Sequence, residues 1–424
     1  MKKFLTILGV SVISIGMLVT FSLTGCKGVV EEAVTEAVEE AVEEVEEAVE
    51  EVVEEVEEAV EEEEEDLDVI DPFILQLREG LDKYRGEINY KGEYGATPTW
   101  DAELFLTIAE VEQIREGNPE TGEPWKVGYV MDASGGSHTT SMLKAMNDVF
   151  DYLGMEFLGE VDPQYDPAAE RAGAENFIAA GADVVIGAPI NPVASAESFR
   201  PVLDAGKDFV IWSNIPEGYE YGTDFVGVSS AMAEDLGKLT LDLLKEGVTE
   251  LTEVAFIYMD MDFWVVNLID DMAREAIEAD PNLEIVEELG YALESDCFDL
   301  MTAAVQRHPD ITRAYGNYFL PAAHAADACV QLGRDDIKIA CFAIDEPTLV
   351  SILTGGNVIG TVSDNPYQLG ANLAILAGCG VIDKAAPEFT ITPAIPFNED
   401  NLVENWELTQ KIPLPDSIKQ LLEE

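Results

Sequence analysis

Positive charge is what this chain of 424 residues has least of: 23 Lys and Arg stand against 85 Asp and Glu, a formal net charge of −62. So acidic a surface repels phosphate backbones and anionic headgroups, which excludes nucleic acid and acidic lipid as partners. Histidine is scarcer still. With only His138, His308 and His324 available, a multi-histidine metal centre is excluded and no metal is expected. The five cysteines (Cys26, Cys297, Cys329, Cys341 and Cys379) show neither C-x-x-C nor histidine-paired spacing, so zinc is not expected either. Cys329 and Cys341 sit in apolar contexts and read as small core residues; pairing among the last four is left open for an exported chain. No Gly-x-Ser-x-Gly elbow, phosphate-binding loop or dinucleotide-binding glycine turn occurs, and Ser134-Gly-Gly-Ser137 lacks the lysine of a phosphate cradle. Carboxylates are so common here that any pair of them is weak evidence for acid–base catalysis. The expectation is a protein that is not an enzyme and needs no cofactor.

Against these absences stands one long apolar run. Lys2 and Lys3 precede it, it extends from Phe4 to about Leu23, and it ends in Leu23-Thr24-Gly25-Cys26. That is the composition of a secretory signal. The ending resembles the bacterial lipoprotein box, which implies removal of residues 1–25 and a lipidated (palmitate-bearing) Cys26. The rest of the chain would then work outside the cytoplasm, anchored to the cell membrane by several acyl chains.

Residues 26–66 continue with an acidic tract. From Val29 to Asp66 there are 21 acids and no Lys or Arg. Val34, Val38, Ala41, Val45, Ala48, Val52, Val56 and Ala59 fall on one helical stripe, which suggests a stalk. Mutual repulsion of the glutamates suggests a disordered spacer instead; both remain open. Residues 67–125 mix amphipathic pieces with Gly and Pro turns and read as an N-terminal extension packed on the body. Within it Thr107 and Glu110 have capping-box spacing for a helix to about Arg115.

From Lys126 apolar strands alternate with amphipathic helices. Strands are expected at Val127–Met131, Glu156–Gly159, Val184–Ala188, Phe209–Trp212 and Phe225–Val228. A second series follows at Val254–Met259, Leu283–Leu289, Arg313–Gly316, Ile337–Ile344 and Val358–Val362. A helix from Tyr367 to Ala377 and a strand near Ile391–Ile395 close the body. Such alternation predicts an α/β protein with two doubly wound parallel-sheet lobes. Ligands of such sheets bind beyond the C-terminal ends of the strands.

Four segments then carry a resemblance: Lys126-Val-Gly-Tyr-Val, Phe177-Ile-Ala-Ala-Gly-Ala-Asp-Val-Val-Ile-Gly, Phe225-Val-Gly-Val-Ser and Gly360-Thr-Val-Ser-Asp-Asn-Pro-Tyr-Gln-Leu-Gly. Together they resemble the type I periplasmic solute-binding proteins, especially the ribose/galactose-type sugar binders of ABC transporters, from about Lys126 to Pro396. LacI-type repressors share that fold but carry a helix-turn-helix and no export signal. The resemblance implies a first lobe of 126–229 with about 365–388, a second of 230–364 with about 389–396, a three-strand hinge and a C-terminal tail of 397–424.

It also implies a cleft whose ligand contacts come from loops at the strand ends. Those loops hold Asp132, Ser134 and His138; Trp212 and Asn214; Phe263, Trp264 and Asn267; then Asn317, Asp345 and Asp364. Carboxylates and amides match sugar hydroxyls in pairs, and aromatic planes pack on the C–H faces of a sugar ring. The arginines that clamp sugar hydroxyls in the family have no counterpart, since Ser213-Asn214 stands where an Asp-Arg pair is usual and Asn267 where an arginine is frequent. A buried site with acids and no arginine disfavours an anionic ligand. The expected function is capture of a neutral sugar-like solute in an inter-lobe cleft and its delivery to an ABC permease. The alternatives are a tethered sensor for a chemoreceptor or kinase, or a binder of a nucleoside or cationic metabolite.

Overall fold

The computed structural model describes residues 70–132 and 135–423, so Cys26, the acidic tract and Ser134 lie outside the described residues. The chain from Asp71 onward forms one unit built on two sheets. The first sheet contains β1 (Pro98–Trp100), β2 (Lys126–Val130), β3 (Glu156–Val161), β4 (Val184–Gly187), β5 (Asp208–Trp212), β6 (Gly227–Ala231) and β12 (Phe389–Thr392). The second contains β7 (Thr252–Met259), β8 (Leu283–Tyr291), β9 (Ile311–Tyr318), β10 (Lys338–Phe342), β11 (Val358–Ser363) and β13 (Ile395–Phe397).

Their orders are β1-β12-β6-β5-β4-β2-β3 and β13-β11-β10-β9-β7-β8. All pairs in the first sheet are parallel, and in the second only β13, against β11, is antiparallel. Helices cover both faces of each sheet, so central strands such as Val184–Gly187 are buried throughout and read as unbroken apolar runs. The strand order reverses at β2/β4 and at β7/β9, the switch points where such sheets open a crevice.

Three crossings join the lobes. They run from β6 into the helix Ala233–Leu244, from β11 into the helix Pro366–Val381, and from β12 to β13. Thr392 ties them together: its Oγ1 donates to Asp364 O (2.8 Å) and its carbonyl accepts from Met232 N–H (3.1 Å). The helix Pro366–Val381 returns to the first lobe and lies against the helix Gly136–Leu153. Gly370 permits that approach, since a Cβ there would collide with the Met142 carbonyl.

Several details depart from the sequence-based expectation. The segment 389–396, assigned to the second lobe, divides: Phe389–Thr392 pairs with β6 in the first sheet, and Ile395–Phe397 pairs with β11 in the second. The strand expected at Phe225–Val228 is instead Gly227–Ala231. Ser229 within it is fully buried and satisfies its hydroxyl on Leu369 O. The helices Pro192–Asp204 and Glu346–Leu353 had not been foreseen, although Asn191-Pro192 and Asp345-Glu346-Pro347 are N-cap and first-turn proline signals.

The extension forms the expected helix, Ile108–Arg115, with its Thr107/Glu110 capping box. It also adds β1 to the first sheet and places Leu81 in a cluster with Ile395 and Trp406. The C-terminal tail carries two helices, Leu402–Thr409 and Asp416–Glu423. Cys297, Cys329, Cys341 and Cys379 are buried and unpaired with one another. Among the described residues no helix is long and apolar enough to cross a membrane.

Candidate functional site

A cavity of about 400 Å³ lies between the lobes at the C-terminal ends of both sheets. The first lobe contributes Asp132, His138 and Trp212, and the hinge contributes Ala231 and Asp364. The second lobe contributes Phe263, Glu294, Tyr318 and Asp345. Each position follows from local structure. Asp132 is two residues beyond the last residue of β2, and Trp212 ends β5. Gly136 and His138 open the helix after β2, while Asp345 is the N-cap of the helix Glu346–Leu353, paired with Thr348 in a capping box.

The two lobes touch directly across this cleft. Ser137 Oγ donates to Asp345 Oδ1 (3.0 Å) and lies 3.2 Å from Ile344 O. Asp345 Oδ1 also accepts from Glu346 N–H at 2.8 Å, so that oxygen is committed to structure. Asn214 is committed in the same way: Nδ2 donates to Pro189 O (3.0 Å) and Oδ1 accepts from Val265 N–H (3.1 Å), fastening the β5 loop to the second lobe.

His138 Nε2 meets Asp364 Oδ2 at 2.8 Å. Burial opposes protonation of this imidazole, but Asp364, with Asp132 and Asp345 further off, outweighs it and raises its pKa above the ordinary value. Asp364 Oδ1 is buried and has no hydrogen-bond partner. Buried polar atoms are almost always paired, and this unpaired one belongs to a residue of the cavity wall.

Three of the expected contacts do not line the cavity. Trp264 packs edge-on against Phe389, with ring centroids 6.0 Å apart, and serves the lobe interface. Asn267, in the helix Trp264–Ala279, donates from Nδ2 to Met261 O and lines a separate cavity with Asp260 and Asp271. Asn317 is fully buried; its Oδ1 accepts from Tyr291 O–H and Tyr318 N–H, both at 2.9 Å, so it supports the cavity wall from below.

Conversely, Tyr165, Glu294 and Phe342 line the cavity without being among the expected contacts, and Tyr318 lines it in place of its neighbour Asn317. Glu294 Oε1 accepts from Tyr318 O–H at 2.6 Å. Tyr165 sits in a loop with φ +59, and neither its spacing nor that of Glu294 distinguishes it from surface loop residues. Tyr318 follows Asn317, and a search for aromatic residues at strand ends would have found it.

Two lobes with a three-strand hinge and a cavity at both sets of strand ends define a cleft-type solute binder. Residues 127–378 match the family described as periplasmic binding protein domain, and the chain belongs to that family. Its fold is that of solved ABC transporter solute-binding proteins. One from Agrobacterium vitis, bound to α-D-tagatopyranose, is 14% identical with a TM-score of 0.61, covering 66% of this chain and 96% of that one. One from Bacillus halodurans, with bound myo-inositol, is 19% identical with a TM-score of 0.60, covering 68% and 98%. One from Thermotoga lettingae, in complex with 5-methylthioribose, is 20% identical with a TM-score of 0.58, covering 70% and 96%. No curated protein sequence matches this chain.

Proposed function

We propose that this chain is the extracytoplasmic, lipid-anchored solute-binding subunit of an ABC-type importer, and that its cleft takes a sugar-like polyol that is neutral or positive. The observation that carries the reading is the inter-lobe cavity in which Asp364 Oδ1 is buried without a partner. A turn of the Asp364 carboxylate would offer that oxygen to a ligand hydroxyl, while Trp212 and Phe263 offer apolar planes for a ring. The cavity has the size of a small-molecule site, and the fold relatives hold a ketose, a cyclitol and a thiopentose. Anchoring through Cys26 would keep the binder beside its permease by raising their effective concentration.

The test is a thermal-shift screen of the purified protein against monosaccharides, cyclitols and nucleosides. A true ligand raises the midpoint in proportion to the logarithm of its concentration. Trp212→Ala then lowers affinity at least tenfold, about 1.4 kcal/mol, with no change in the unliganded midpoint. Equal binding by the variant would remove the cleft from the argument.

A further inference from the structure

The charge of the cleft narrows the solute further, granted the solute-binding reading above. Four carboxylate side chains, Asp132, Glu294, Asp345 and Asp364, line the cavity, and no Lys or Arg is among the described residues that do. Their fields overlap: Asp132, Asp345 and Asp364 all act on His138, and Asp132 and Glu294 both act on the Tyr165 hydroxyl. Among the described residues lining the cavity, His138 is the one basic side chain, so even a protonated imidazole leaves acid in excess.

Asp345 commits one oxygen, Oδ1, as a helix cap and as the partner of Ser137. Glu294 commits one oxygen to Tyr318, and Asp364 commits one to His138 and buries the other unpaired. An uncompensated buried anion is costly, and a cation brought by the ligand is the direct remedy. The rest of the wall is mostly apolar and includes the rings of Trp212, Phe263, Tyr318, Phe319 and Phe342. Such rings pack on the C–H faces of a saturated ring and attract a cation over their own faces. A cavity of about 400 Å³ is far larger than a bare metal ion needs and suits one substituted ring.

We propose that the cleft selects a polyhydroxylated ring bearing a protonated amine, such as an aminosugar or aminocyclitol, over its neutral counterpart. The ammonium pairs with Asp364 and Glu294, and the ring lies against the aromatic wall. The contrast with a neutral sugar is therefore one of charge, not of shape.

The experiment is isothermal titration of the purified protein with matched pairs: glucosamine and glucose, galactosamine and galactose, an amino-deoxy inositol and myo-inositol. The N-acetyl derivatives, which keep the substituent and lose the charge, complete the set. In at least one pair the amine binds ten or more times tighter than the neutral sugar and than the N-acetyl form. That advantage shrinks at least threefold in Asp364→Asn or Glu294→Gln, with folding checked by circular dichroism. If neutral members bind as tightly as amines, the charge selection is refuted while the solute-binding reading stands. An amine advantage that survives in both folded variants refutes the assignment to these two carboxylates. Absence of binding by every member refutes the proposal; binding by other solutes of the earlier screen would then decide the broader reading separately.

Discussion

Replacing Asn317 by alanine separates a ligand contact from a support beneath the cleft. The side chain accepts two hydrogen bonds at 2.9 Å, from the buried Tyr291 hydroxyl and from Tyr318 N–H, and donates a longer one of 3.4 Å to Asp270 Oδ2. Alanine leaves two donors inside the second lobe without acceptors. Each such orphan costs about 1–3 kcal/mol, so two should lower the stability of the variant by about 2–6 kcal/mol. Urea denaturation followed by fluorescence measures this, as a lowered midpoint at an unchanged slope. Affinity of the folded variant should fall by less than tenfold, because only the seat of Tyr318 is disturbed. An unchanged midpoint with a tenfold or greater loss of affinity would refute the reasoning and make Asn317 a ligand contact.

Gly136→Ala places a methyl group against Asp345 Oδ2 at a backbone φ of +64, so closure of the Ser137–Asp345 contact is obstructed; titration should show affinity reduced at least fivefold, and unchanged affinity would mean that the lobes need not meet here. Burial raises the carboxyls of Glu93, Glu170 and Asp270 to about 7. Each is more protonated when folded than when unfolded, so it contributes stability below the unfolded value near pH 4 that is lost as pH rises through about 7. Calorimetric midpoints should therefore be higher at pH 5 than at pH 8; a flat or rising profile contradicts this.

Much of the architecture was legible because buried parallel strands are continuous apolar runs. Val184–Gly187 and Lys126–Val130 could hardly be anything else. Less legible were elements whose signals are polar. Ser229 is a core strand residue because the helix Pro366–Val381 supplies its hydroxyl with a partner, Leu369 O, which no local window reveals. Asp345 was rightly placed at a strand end, and the structure adds that one of its oxygens serves a helix cap. In the cleft, residue type could nominate Asp364 and Trp212, since strand ends converge there. It could not distinguish Asn317 from a contact, because its neighbours Tyr291 and Asp270 are remote in sequence and meet it only after β7, β8 and β9 pair. Glu294 was invisible for a different reason: in a chain with 85 acids, one more glutamate in a loop carries no signal until Tyr318 is seen against it.

The most direct measurement is a crystal structure of the protein with the tightest ligand from the titrations. The account predicts that ligand in the cavity between the lobes, its ring against Trp212 and a donor within 3.2 Å of an Asp364 carboxylate oxygen, as hydrogen bonding requires. A ligand bound elsewhere on the body, or one in the cleft that makes no hydrogen bond to Asp364, would contradict it.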